Sequence, residues 1–388
     1  MPSISNRVAG FGTTIFTEIN NLAAQYKATN LGQGRPDFDG PGSVIEAAVK
    51  ALQSGRNNQY APGPGTASLR QAVANHASRF YNLDVDPTAG VIVTAGATEA
   101  VFCSVLGLVD HDDEVIIIEP YFDSYLPNVI MANAKPVFVP LHPPTWTFDP
   151  DELRAAFNPN TRAIILNTPH NPSGRVFTQE ELTLIADLCK EFDAVVISDE
   201  VYEHLVFDHA QHIPITTLPG MFERTVTIGS AGKTFGMTGW KVGWVYGHPD
   251  IMKGVAQAHQ FVTFAVNHPA QEAVAFAFGL PNTYFEEYRD LYTIKRDLMM
   301  EGINASGLKA FSPEGTYFVM ADFSEVFDGD DFAFSKYLTA EIGVACIPPT
   351  VFYSEAHKHM VRTQARFAFC KSDVTLREAS EKLAKLRR

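Results

Sequence analysis

The run Ala163-Ile164-Ile165-Leu166-Asn167-Thr168-Pro169-His170-Asn171, then a helix-like segment from Thr178 to Phe192, then Ala194-Val195-Val196-Ile197-Ser198-Asp199-Glu200, decides the fold. Both apolar runs are continuous rather than alternating, as strands covered on both faces require. The segment between them opens with Thr178-Gln179-Glu180-Glu181. In that capping-box pattern, the Thr and the Glu three residues on each accept the other's backbone N–H. Strand, helix, strand in this order predicts parallel strands joined by a crossover helix. Val91-Ile92-Val93-Thr94, a helix-like Thr98 to Leu108, and Glu114-Val115-Ile116-Ile117-Ile118 repeat the pattern. The expected fold class is α/β, with a mostly parallel central sheet covered by helices.

The pattern changes near residue 280. Pro281-Asn282 breaks the chain, Thr283 to Gly302 reads as a charged amphipathic helix, and Thr316–Met320 and Ala365–Phe369 read as short alternating strands. The first forty residues do not look like part of the sheet either. A chain of 388 residues also exceeds what one core normally supports. The expected division is an N-terminal arm and part of a small domain at 1–41, a large domain at 42–280, and a small C-terminal α+β domain at 281–388.

Composition excludes more than it identifies. A net charge of −14 argues against nucleic acid and anionic membrane as partners. No apolar run approaches the roughly 20 residues of a spanning helix. Met1 to Thr14 holds one Arg and no apolar stretch, so no secretory signal is expected. The four cysteines, Cys103, Cys189, Cys346 and Cys370, lack CxxC spacing. They point to a reduced, cytoplasmic setting without a structural zinc site. No metal is expected: His357 and His359 form a His-x-His pair that reads as a surface helix end. Cys103, Cys346 and Cys370 read as inert core thiols.

The chemistry centres on Ser230-Ala231-Gly232-Lys233-Thr234-Phe235-Gly236-Met237-Thr238-Gly239-Trp240-Lys241. A phosphate-binding P-loop would need Gly where Thr227 stands. A surface lysine and a nucleophile remain as readings of Lys233. Ligands of open α/β sheets bind at the carboxyl ends of strands. The polar turn after Leu166 and the acid that ends the run at Ile197 therefore make Asn171, Asp199, Tyr202 and Lys233 candidates for one crevice.

Further motifs narrow the choice: Asn30-Leu31-Gly32-Gln33-Gly34, Asn58-Gln59-Tyr60, Glu119-Pro120-Tyr121-Phe122-Asp123-Ser124-Tyr125, Pro313-Glu314-Gly315-Thr316-Tyr317-Phe318 and Arg366-Phe367-Ala368-Phe369. In this order, with the Asn171, Asp199 and Lys233 segments, they span nearly the whole chain. The chain resembles the pyridoxal-phosphate-dependent aminotransferases of class I/II, fold type I. It is nearest the branch of kynurenine, glutamine and methionine aminotransferases and cysteine-conjugate β-lyases.

The resemblance implies a role for each residue. Lys233 would form the Schiff base with pyridoxal 5′-phosphate and shuttle a proton, which suits an amine whose pKa falls on desolvation. Asp199 would pair with the pyridine nitrogen, Asn171 and Tyr202 would bond the ring oxygen, and Phe122 would stack on the ring. Gly96, Ala97 and Thr98, at a helix start, would receive the phosphate together with Ser230 and Lys241; Thr98 also suits an N-cap. Tyr60 would reach the phosphate of a neighbouring subunit, making the active site of a homodimer shared across its interface. Arg366 would clamp the substrate α-carboxylate, with the backbone of Gly34 close by.

Arg35 follows Gln33-Gly34 where many relatives carry an aromatic residue. It is expected to line the side-chain pocket and favour acidic or polar donors. Phe16, Phe264 and Phe352 could instead make that pocket apolar, and the sequence leaves both open. The implied activity is ping-pong amino transfer between an L-amino acid and a 2-oxo acid; the alternative is a β-lyase using the same site. A transcription regulator would need an added DNA-binding module before the large domain, for which the start near residue 42 leaves no room.

Overall fold

The computed structural model describes residues 4–387. In chain order the strands are β1 (Thr29–Asn30), β2 (Val91–Thr94), β3 (Glu114–Glu119), β4 (Lys135–Pro140), β5 (Thr161–Asn167), β6 (Val195–Asp199), β7 (Thr225–Ser230), β8 (Gly243–Gly247), β9 (Lys309–Phe311), β10 (Phe318–Asp322), β11 (Val344–Ala345) and β12 (Gln364–Ala368). The apolar runs make the centre of a seven-stranded sheet of order β2-β8-β7-β6-β5-β3-β4. Alternate residues enter opposite cores. Ile116, Ile118, Ile164, Leu166 and Val196 pack with Leu182 and Ile185 of the helix Gln179–Glu191. Val115, Ile117, Ala163, Ile165, Val195 and Ile197 pack with Val101 and Val105 of the helix Ala97–Leu108. Each Val, Leu or Ile among them contributes about 1.5–3 kcal/mol on burial, and burial on both faces explains the absence of alternation. The capping box forms: Glu181 N–H donates to Thr178 Oγ1 at 3.2 Å, and Thr178 N–H donates to Glu181 Oε2 at 2.7 Å.

One strand is reversed. β8 runs antiparallel to both β2 and β7, placing Gly243 opposite Thr94 and Ser230. The remaining neighbours pair parallel. The carboxyl ends of β2, β5, β6 and β7 therefore gather at one edge with the start of β8. This edge positions the site.

Both chain ends meet on a second assembly. β1 pairs parallel with β11, Thr29 against Val344, and a three-stranded sheet has the order β12-β10-β9. The long helix Asn282–Ala305 packs Met299 and Ile303 against Leu376, Ala379 and Leu383 of the helix Asp373–Leu383. Two local expectations need correction. The strand expected from Thr316 begins at Phe318, because Thr316 holds a left-handed φ of 68° and its hydroxyl accepts the Phe318 N–H at 3.1 Å. The N-cap of the helix Ala97–Leu108 is Gly96 and not Thr98, since the chain turns in at φ 79°, a value a residue without Cβ adopts freely.

Candidate active site

At the gathered strand ends lies a cavity of about 410 Å³, a size that suits a cofactor. Lys233 projects into it from a single helical turn, Ala231–Thr234, started where Ser230 Oγ at the end of β7 accepts the Gly232 N–H at 3.2 Å. The Tyr288 hydroxyl holds the Lys233 carbonyl at 2.8 Å. The Lys233 ammonium donates to the Tyr317 hydroxyl and to Gly34 O, the latter at 3.4 Å, and the Tyr317 hydroxyl donates to Gly34 O at 2.7 Å. Burial pushes the Lys233 pKa down to about 8; Cys370 and Asp199 oppose the shift, while Arg366 and Lys241 add to it.

Asp199 ends β6 on the cavity floor. Its Oδ2 accepts the Tyr125 hydroxyl at 2.6 Å, and its Oδ1 accepts the Val201 N–H at 3.4 Å. Asn167, ending β5, ties the two strand ends together. It donates to the Asp199 carbonyl at 2.8 Å and accepts the Asn171 N–H at 2.8 Å. Burial pushes the Asp199 pKa up to about 6, against the Tyr125 and Val201 hydrogen bonds and the attraction of Lys233. Its partners are a phenol and an amide, with no ion pair to any described cation. A buried carboxylate in that position is a strong host for a cation.

Arg366, on β12, is 1% exposed. Its Nη1 donates to Asn171 Oδ1 at 3.1 Å and its Nη2 to Gly32 O at 2.8 Å. Its Nε has no partner among the described residues. The guanidinium lies 4.2 Å from the ring centre of Phe318 and 5.2 Å from those of Phe16 and Phe352. Burial lowers its pKa to about 10.

At the other end of the cavity, Gly96, Ala97 and Thr98 present the start of the helix Ala97–Leu108, beside Ser230, Thr238 and Lys241. A Cβ on Gly96 would stand 3.2 Å from Lys241 Nζ, so the glycine leaves the ammonium room over the helix start. Phe122 and the buried Tyr202 are further walls. The donor set fits pyridoxal phosphate: an acid lacking a cation for the ring nitrogen, a flat aromatic wall, a lysine, and helix N–H groups with an ammonium for the phosphate.

Thus Gly34, Arg35, Gly96, Ala97, Thr98, Phe122, Asn171, Asp199, Tyr202, Ser230, Lys233, Lys241 and Arg366 line one cavity. Tyr60 does not line it: it is 84% exposed, edge-on to Phe264 at 5.6 Å. Packing gives Gly34 a reason to be glycine besides the expected approach to a carboxylate. A Cβ there would lie 2.6 Å from Phe318 Cζ and 2.9 Å from Tyr317 Cε2, and its carbonyl faces Lys233. Tyr317, Tyr125, Asn167, Phe16 and Phe318 also belong to the site. All but Phe16 sit in the motifs quoted above; Phe16 was one of three phenylalanines expected to make the pocket apolar, and of those three it alone lines the cavity among the described residues.

Two readings outside the cavity change. His357 is not an unpartnered surface histidine, because it hydrogen-bonds the fully buried Glu119, far away in sequence. Cys103 is buried as expected, but its Sγ lies 3.7 Å from Glu99 Oε1.

Comparison with known proteins agrees with this geometry. A model of the aminotransferase class I and II family matches residues 26–383. A kynurenine–oxoglutarate transaminase of Dictyostelium discoideum is 40% identical, covering 99% of this chain and 96% of the relative. The solved structure of an N-succinyldiaminopimelate aminotransferase from Mycobacterium tuberculosis superposes with a TM-score of 0.95 at 44% identity, covering 99% of this chain and 100% of that one. An Escherichia coli protein with a methionine aminotransferase function gives 0.95 at 39% identity over 99% and 100% of the two chains.

Proposed function

The chain belongs to the class I and II aminotransferases, pyridoxal-phosphate-dependent enzymes of amino-group transfer, and on that premise we propose that Lys233, Asp199 and Arg366 carry the transfer between an L-amino acid and a 2-oxo acid. Bound pyridoxal phosphate supplies a cationic ring that draws electrons from the substrate Cα, so that a proton can leave it. Lys233 anchors the cofactor and moves that proton. Its pKa of about 8 gives a working share of neutral amine near neutral pH. Asp199 keeps the ring nitrogen protonated, and the cation it receives offsets the cost of its burial. That buried, uncompensated carboxylate beside Lys233 is the observation that carries the reading.

Arg366 grips the α-carboxylate through parallel N–H bonds. With Asn171 Oδ1 accepting from Arg366, the Asn171 amide N–H₂ is left to donate to the ring oxygen beside Tyr202. Phe122 supports the ring. The helix start at Ala97 and Thr98, with Gly96, Ser230 and Lys241, takes the phosphate. Donor and acceptor both need Arg366, so they bind in turn, which makes the kinetics ping-pong. The relatives are named for amino transfer, which favours it over β-elimination.

The enzyme works as a homodimer in which Tyr60 reaches the partner's phosphate. The exposure of Tyr60 at 84% and of Phe261 at 91% supports an apolar contact there, and an active monomer in sedimentation would overturn it. Residues 42–280 bind the cofactor, with 1–41 and 281–388 forming the arm and small domain. The free, buried cysteines support a cytoplasmic setting, and no described helix is long and apolar enough to cross a membrane.

Borohydride reduction of the holoenzyme followed by peptide mass mapping is expected to leave the cofactor on the peptide carrying Lys233. Lys233→Ala abolishes both attachment and transfer. Attachment elsewhere, or transfer by the variant, would refute the assignment.

A further inference from the structure

We propose that Arg35 is a specificity residue that binds the distal carboxylate of dicarboxylic substrates, 2-oxo acids and amino acids carrying a carboxylate at each end. The proposal rests on the assignment of Arg366 to the α-carboxylate.

The first argument is position. Gln33, Gly34 and Arg35 form one wall of the cavity, with Gly32 just behind its start. Gly32 O accepts from Arg366 at 2.8 Å, and Gly34 O accepts from Lys233 at 3.4 Å. The wall thus runs from the α-carboxylate grip past the reacting amine, and the next side chain along it is Arg35, which lines the same cavity. Three residues of chain span at most about 10 Å, and the bend at Gly32 and Gln33 shortens that reach. An acid held at Arg366 with its amine at Lys233 therefore extends toward the Arg35 guanidinium.

The second argument is charge. The cavity is lined by four cations, Arg35, Lys233, Lys241 and Arg366, and one acid, Asp199. The proposed reaction uses three of the cations: Arg366 for the α-carboxylate, Lys241 for the phosphate and Lys233 for the chemistry. Arg35 alone has no anion. It is exposed and makes no ion pair with a described residue. The nearby acid Asp37 is already engaged by the Ser372 N–H and by the Thr375 hydroxyl at 2.6 Å.

The backbone of Arg35 is pinned as well. Lys371, 7% exposed, donates to Arg35 O at 2.6 Å. Burial lowers the Lys371 pKa, and the Arg35 charge adds to the shift. Lys371, buried behind the wall, adds its positive charge to that of Arg35 on the cavity side, and together they attract an anionic substrate end. A carboxylate on an arginine fork gains more than a neutral chain in the same place. After discounting for exposure, the gain corresponds to about a tenfold preference.

The test uses the holoenzyme with 2-oxoglutarate and 2-oxohexanoate, acceptors that differ in charge at the distal end. Arg35→Gln is expected to lower the ratio of their kcat/KM values about tenfold, and Arg35→Lys to restore part of it. Calorimetric binding of the unreactive pair glutarate and pentanoate should shift in the same direction, and wild-type preference for the diacid should shrink as salt rises. Unchanged ratios in both arms would overturn the proposal. Absence of transfer from any amino acid by wild type would instead overturn the functional assignment, and glutarate binding would still decide the role of Arg35.

Discussion

Asp199→Asn is expected to raise the stability of the cofactor-free protein at neutral pH and to remove the activity of the holoenzyme. Burial moves the Asp199 carboxyl from 3.8 to about 6, a rise of about 2 units at about 1.4 kcal/mol each. Between those values the folded state holds a proton that the unfolded chain has released. Stability therefore falls as pH rises, by about 3 kcal/mol in all once pH exceeds the folded value. Asn has no charge and escapes this loss. It retains an oxygen for the Val201 N–H, and the Tyr125 hydroxyl, now 2.6 Å from Oδ2, can turn to accept from the new N–H₂. Urea midpoints of the two cofactor-free proteins should differ by the equivalent of about 3 kcal/mol at about pH 7.5, the variant being more stable, and converge below about pH 4. Adding pyridoxal phosphate should reverse the order, because only the carboxylate gains from a cationic ring. Equal midpoints at about pH 7.5, or a gap that keeps its full size at about pH 4, would refute the reasoning.

Gly34→Ala places a methyl 2.6 Å from Phe318 Cζ and is expected to lose about 1–3 kcal/mol of stability. A kcat loss beyond that of a remote variant of equal Tm would reflect displaced Lys233 partners, and an unchanged Tm would show the rings yield freely. His259 is bonded to Glu99 at 2.6 Å and to Gly63 O at 2.8 Å, both side chains being buried. His259→Ala should therefore cost about 3–5 kcal/mol by stranding the carboxylate. Burial alone would lower the His259 pKa and raise that of Glu99, yet their pairing leaves His259 raised and Glu99 lowered. The histidine's contribution is present below 6.5 and lost as pH climbs through its raised value. That of Glu99 is present above 4.5 and lost as pH falls through its lowered value. The variant's deficit in denaturant midpoint should thus peak between those two pH values, and a pH-independent deficit would count against the pair.

The sequence by itself determined the layers and the family. Continuous apolar runs such as Val115–Ile118 and Ala163–Leu166 can be buried on both faces only in a covered parallel sheet, and the capping box at Thr178 marks a crossover helix. These are local properties, set by neighbours within a few residues. The residues that gather in the cavity, Lys233, Asp199, Asn171 and Arg366, were legible because each sits in an ordered motif. Their relation to one another was not. Only the tertiary structure decided that β8 runs backwards, bringing Lys241 beside Gly96. Only it decided that Tyr125 bonds Asp199 from 74 residues away, and that Phe16, Phe318 and Phe352 surround Arg366. Pairings of this kind depend on strand order and on which faces meet, and no local pattern encodes either. The same holds for Glu119 and His357, unrelated in sequence and bonded in the fold. Arg35 spans both levels: its identity was visible in the chain, but that it lines the cavity without an acid partner became visible only once the sheets had packed.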